Sequence, residues 1–102
     1  MIIYISGPMS GLPDNNKPAF HAAAKLLRNL GHTVINPAEI EVPDPSWSNY
    51  MREDIRQMMA ADIVVLLPGW ANSRGAKLER HIAIEIGMPV RLIEEFEAVE
   101  SA

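Results

Sequence analysis

The sequence predicts an α/β protein: a parallel sheet of four strands, in the order 2-1-3-4, with helices on both faces. Three observations lead there. Short apolar runs alternate with amphipathic stretches in the order β-α-β-α-β-α-β. The run Ile63-Val64-Val65-Leu66-Leu67 is apolar throughout, as suits a central parallel strand covered on both sides. Glycine and proline mark the junctions between runs. The 102 residues are expected to form one domain, 1–102, around one core.

The elements follow in order. Ile2-Ile3-Tyr4-Ile5 is β-branched and aromatic and ends at Gly7-Pro8, which reads as a buried strand entering a turn. Residues 6–18 hold two glycines, three prolines and Asp14-Asn15-Asn16, and read as a loop. A helix is predicted over 18–30, with Pro18 in its first turn, Gly31 at its end and an apolar stripe of Phe20, Ala23, Ala24, Leu27 and Leu30. His32-Thr33-Val34-Ile35-Asn36 is the second strand, stopped by Pro37, and residues 37–47 form a proline-rich loop. Ser46 or Ser48 caps the next helix, about 48–61, whose Met51, Ile55, Met58 and Met59 face inward. Residues 62–67 are the third strand and 68–75 a loop. A third helix runs from 74 to 86 and stops at Gly87, and residues 89–93 form the fourth strand. The acidic tail from Glu94 is read as a loop or frayed end.

Right-handed crossovers then give the doubly wound, three-layer arrangement of flavodoxin- and Rossmann-like folds. Its chain-reversal point lies between strands one and three, and ligands bind there, beyond the carboxyl ends. The loops leaving those strands are Ser6-Gly7-Pro8-Met9-Ser10-Gly11 and Pro68-Gly69-Trp70-Ala71-Asn72-Ser73.

Composition narrows the classes. At 48% hydrophobic residues and a net charge of -4, the chain is expected to be globular and not to take a nucleic-acid polymer as partner. Without cysteine there is no disulfide, thiolate metal site or cysteine nucleophile, which suits a reducing compartment. The opening apolar run is short and lacks a basic region, so it is not read as a signal peptide. No run approaches the roughly 18 apolar residues of a membrane span. The expectation is a cytoplasmic protein with no membrane partner.

Chemistry concentrates in a few acids. On a wheel of about 100° per residue, Gly75, Ala76, Ile82, Ala83 and Ile86 share one side of the third helix, and Lys77, Arg80, His81 and Glu85 the other. Glu79 falls near the middle of the apolar side, where a lone carboxylate is costly unless neutral or paired. It is either a structural cap or a reactive group facing the crevice. Tyr4, in strand one beside the same crevice, is either core or a hydrogen-bond donor to that carboxylate. Asp54 flanks the stripe of the second helix on the side of Tyr50, and is either a surface acid near Arg52 or Arg56 or a second crevice acid. Two acids at one crevice suit glycosidic chemistry: one attacks or stabilises the anomeric carbon, the other protonates the leaving group. His21, His32 and His81 have no metal-ligand spacing, and no metal is expected. Asp62 is expected to cap its strand. Trp70 either walls a base or packs over the sheet end. The six methionines read mainly as core filler. Gly7-Pro8-Met9-Ser10-Gly11 is neither a Walker loop nor a dinucleotide fingerprint.

Tyr4-Ile5-Ser6-Gly7-Pro8, then Asp54, then Ser73-Arg74-Gly75-Ala76-Lys77-Leu78-Glu79 resemble the nucleoside 2-deoxyribosyltransferase superfamily, which includes the deoxynucleoside 5'-monophosphate N-glycosidases. The resemblance spans about residues 2–92. Gly7-Pro8-Met9-Ser10-Gly11 and Leu67-Pro68-Gly69-Trp70 are most similar to small phage and bacterial members. The resemblance implies Glu79 as the nucleophile that forms a covalent glycosyl-enzyme, Tyr4 as the residue orienting it, and Asp54 as general acid. It implies that Ser73 contacts the 5' end of the substrate, where the transferases carry an aspartate and the monophosphate hydrolases a serine. A hydroxyl and loop N–H groups can donate to a phosphate that a carboxylate would repel. Gly7 and Met9 match positions lining the sugar pocket, and Gly75 and Trp70 join them as substrate-binding candidates. The first loop lacks the arginine of the monophosphate hydrolases, and Arg74 is the candidate substitute. No metal or organic cofactor is implied. The implied partners are a small-molecule nucleoside or nucleotide and other copies of the chain in a homo-oligomer. The resulting expectation is cleavage or exchange of the N-glycosidic bond of a 2'-deoxynucleoside or its 5'-monophosphate. The alternatives are a non-catalytic nucleotide-binding module on the same fold and an oligomeric structural protein with a vestigial crevice.

Overall fold

The computed structural model describes residues 1–101. Eight regular elements follow one another: β1 (Ile2–Ser6), α1 (Lys17–Asn29), β2 (Thr33–Ile35), α2 (Trp47–Met58), β3 (Ile63–Leu66), α3 (Arg74–Glu85), β4 (Val90–Leu92) and α4 (Ile93–Ser101). Short 3-10 turns lie at Pro13–Asn16, Pro37–Glu39 and Trp70–Asn72. The sheet has the predicted order β2-β1-β3-β4, and every pair is parallel. Ile3 stands beside Val34 on one side and Ile63 on the other, so β1 lies inside the sheet.

Strand alternation distributes β1 between two apolar layers. Ile3 and Ile5 pack with Phe20, Ala23, Ala24 and Leu27 of α1, with Val65 of β3 and with Ile93 of α4. Tyr4 turns the other way, against Val64, Leu66, Met58 and Ala83, toward α2 and α3. Ser6, two residues on, shares the Tyr4 face and is also buried. This alternation brings a phenol and a hydroxyl to the carboxyl end of the central strand on the face that α3 covers.

Local chemistry explains the ends of the elements. Ser46, one of the two candidate caps, accepts a hydrogen bond from Asn49 N–H at 3.1 Å and starts α2. The Asp62 carboxylate stands just before β3 and accepts from Ile2 N–H at 2.7 Å, tying down the start of β1. Asp14, Asn15 and Asn16 adopt φ of 52°, 51° and 60°. Asp and Asn tolerate this left-handed region better than other non-glycine residues. Asn16 Nδ2 donates to Pro8 O at 2.8 Å and folds this turn back over the first loop.

Three expectations are corrected. The acidic tail is a helix, and Ile93 opens α4 where the end of the fourth strand was predicted. Ile93 and Phe96, three residues apart, are its apolar contacts with the α1 layer. Glu95 turns back to accept from Leu92 N–H at 2.7 Å. Met59 does not face inward: α2 ends one residue earlier, and Met59 is 46% exposed. Ile86 likewise lies beyond the last turn of α3 and is 55% exposed. In both helices the apolar period runs past the point where the backbone leaves the helix.

Candidate active site

A cleft of about 850 Å³ opens beyond the carboxyl ends of β1 and β3. Its walls come from the loop after β1, the turn after β2, the first turns of α2 and the start of α3. Ser73 sets α3 in place. Its Oγ accepts from Ala76 N–H at 3.2 Å, capping the helix and leaving its own hydroxyl proton for another acceptor.

Glu79 lies on the second turn of α3 and is only 4% exposed. Its carboxylate meets two neutral donors. Tyr4 OH donates to Oε2 at 2.7 Å, and Ser6 Oγ donates to Oε1 at 2.6 Å. Burial pushes the Glu79 pKa up, while the bonds from Ser6 and then Tyr4 pull it back. Burial and the neighbouring acids hold the Tyr4 phenol well above its usual pKa, so it stays protonated and donates.

Asp54, on α2, faces the same cleft and is 9% exposed. Its Oδ1 has no hydrogen-bond partner. Burial, then the charge of Glu79, then that of Glu53 raise its pKa from 3.8 to about 7. One carboxyl is thus supplied with donors and the other is starved of them.

Most of the remaining candidates border the cleft. Gly7, Met9, Ser73 and Gly75 all line it. A Cβ on Gly7 would stand 2.8 Å from Leu67 Cβ, so a side chain there would drive the first loop off β3. A Cβ on Gly75 would come within 3.1 Å of Met51 Sδ, so glycine lets α3 approach α2. Trp70 is not brought to the cleft. It packs against the layer of Met58 and Ala83, and the Arg80 guanidinium stands 4.9 Å from its ring centroid. Its place in the loop after β3 left both readings open, and packing over the sheet end is the one realised.

Three residues of the site were missed in the sequence: Ser6, Trp47 and Lys17, which lines the cleft from the start of α1. Ser6 carried a signal: it lies two residues after Tyr4 in one strand and so shares its face. Trp47 also lines the cleft, with the Arg74 guanidinium 3.7 Å from its ring centroid. It begins α2 directly after the Ser46 cap, at a boundary where spacing alone does not orient a side chain. The histidines lie apart from one another: His21 contacts Asn36, His32 lies edge-on to Phe96, and His81 is exposed.

The doubly wound sheet with its cleft at the chain reversal is the fold of the 2-deoxyribosyltransferases. The chain is similar to the solved structure of the 2-deoxyribosyltransferase from the psychrotolerant bacterium Bacillus psychrosaccharolyticus, with a TM-score of 0.71 and 26% sequence identity, covering 90% of this chain and 71% of that one. That enzyme is described as a biocatalyst for the synthesis of antiviral and antitumoral nucleosides. Residues 1–92 match the domain of unknown function DUF4406, and the chain belongs to that family. No curated protein matches. Among the described residues, no helix is long and apolar enough to cross a membrane.

Proposed function

We propose that this protein cleaves or exchanges the N-glycosidic bond of a 2'-deoxynucleoside or its 5'-monophosphate. The observation that carries this reading is the unequal carboxyl pair in one shielded cleft: Glu79 held by two hydroxyl donors, Asp54 with an unpartnered oxygen and a pKa near 7. An anion and a neutral acid side by side are what a double displacement at an anomeric carbon needs.

In this mechanism a Glu79 oxygen attacks the anomeric carbon of the deoxyribose, and the bond to the base nitrogen breaks. Asp54 gives its proton to the departing base. The Asp54 carboxylate then takes a proton from water, or from a second base, as that group displaces Glu79 and restores the free enzyme. Tyr4 orients the nucleophile throughout. Gly7, Met9 and Gly75 border the sugar, and Trp47 offers an aromatic face for the base. Ser73 and the start of α3 face the 5' end of the substrate. Lys17 and Arg74 also line the cleft and favour the monophosphate. By the same reading the protein acts as a cytoplasmic homo-oligomer.

Purified protein incubated with a panel of deoxynucleosides and their 5'-monophosphates is expected to release free base from at least one, read by chromatography. Glu79→Ala should abolish the release, and a 2-fluoro sugar analogue should leave a covalent adduct on Glu79. A thermal shift with a nucleotide but no base release over long incubation would instead establish a binding module without turnover.

A further inference from the structure

Glu79 and Asp54 are two buried carboxyls lining one cleft, and charging one raises the cost of charging the other, so the two compete for a proton. Which of the two carries it depends on the groups around them. β1 contributes Tyr4 and Ser6, and α2 contributes Asp54 with Glu53 behind it. Among the described residues neither Glu79 nor Asp54 has a salt bridge. The arginines of α3 are turned to aromatic rings, Arg74 to Trp47 and Arg80 to Trp70, and Lys17 lines the cleft from α1. Glu39 and Glu41 line it from beyond β2, Glu39 paired with Arg28, and none of these charged groups bonds either carboxyl, so the groups in direct contact are the neutral donors.

Those donors are unequally shared. Glu79 accepts one bond on each oxygen, while Asp54 Oδ1 accepts none. The Ser6 bond is the shorter of the two, and Ser6 is only 1% exposed, so little water competes for its proton. A hydrogen bond to the charged form of an acid stabilises that form. We propose that Ser6 is a positioning residue that assigns the shared proton: by donating to Glu79 Oε1 it keeps Glu79 anionic and leaves the proton on Asp54. The proposal rests on the reading in which Glu79 attacks and Asp54 protonates the base. With the proton on Glu79 instead, the nucleophile is neutral and the acid has nothing to give. Tyr4 adds to the same effect from the opposite oxygen, with Ser6 the larger of the two contributions.

The test is a carbon-13 NMR titration of the carboxyl groups in the wild type, Ser6→Ala and Ser6→Thr, without substrate, beside the pH profile of base release. In the wild type, Glu79 is expected to lose its proton at lower pH than Asp54, which titrates near 7. In Ser6→Ala the Glu79 midpoint should rise and the Asp54 midpoint fall. Ser6→Thr, which keeps the hydroxyl, should restore both. In kinetics the acid limb of Ser6→Ala should move to higher pH, and kcat/KM at pH 6 should fall about tenfold with little change in KM. A Glu79 titration in Ser6→Ala that superposes on the wild type overturns the proposal, as does a rate loss of equal size at every pH. Should the wild type release no base while the Ser6→Ala titration still shifts, the catalytic reading falls and the proton assignment by Ser6 stands.

Discussion

Glu79 and Asp54 are both buried acids on helices that border one cleft, and they meet opposite surroundings. Glu79 faces the end of the central strand, where two hydroxyls reach its two oxygens. Asp54 faces the cleft and the charge of Glu79, with no donor for its Oδ1. Burial pushes both pKa values up; the donors pull Glu79 back, while the charges of Glu79 and Glu53 raise Asp54 further. The difference teaches that the strand supplies what the acid-bearing helices lack, a donor for each oxygen of one carboxyl. β1 carries no charge at Tyr4 or Ser6, yet it decides which neighbour is anionic.

The comparison can be broken most completely at Glu79. Glu79→Gln keeps an acceptor for one of the two hydroxyls and removes the anion, so base release should drop by about 10³-fold or more, read as single-turnover rates. Asp54→Asn comes next, with a loss of about 10²-fold or more for a base that needs protonation. It should also flatten the fall in wild-type rate as pH rises through about 7, the pKa of Asp54.

Stability gives Asp54 a second readout. Its pKa rises from 3.8 to about 7 on folding, so folding takes up a proton between those values. The contribution of Asp54 is therefore full below the unfolded value and is lost as pH rises through about 7. Asp54→Asn, measured by thermal unfolding, should gain on the wild type at pH 8 relative to pH 5.

A finer change is Tyr4→Phe, which removes one of the two donors and keeps the ring. Turnover should fall about tenfold, and the acid limb should move to higher pH as Glu79 becomes harder to ionise. The smallest expected effect is that of Glu53→Gln. Glu53 lies outside the cleft and is the weakest of the causes that raise Asp54. The alkaline limb should move slightly to lower pH with little change in the maximum.

Much of this arrangement was legible in the sequence because it depends on period. The wheel put Glu79 on the apolar side of α3, strand order follows from right-handed crossovers, and Ser46 was one of two candidate caps of α2. What escaped depends on contacts between distant segments or on where elements stop. Trp70 and Trp47 both flank helical turns, and only the folded chain sends one to the core and the other to the cleft. Met59 and Ile86 fit their stripes, but the helices end before them. The tail after β4 looked too acidic to order, and the spacing of Ile93 and Phe96 was its overlooked helical signal.

β1 is paired along both sides, whereas β2 and β4 each leave one side unpaired. The groups that hold the Glu79 carboxyl thus belong to an interior strand, Tyr4 paired on both sides and Ser6 with β3. Deuterium should enter the amides of β1 only through whole-molecule opening, and those of β4 and α4 sooner. If so, the arrangement around the Glu79 carboxyl lasts as long as the native state itself, and small breathing motions at the rim, however frequent, leave it untouched.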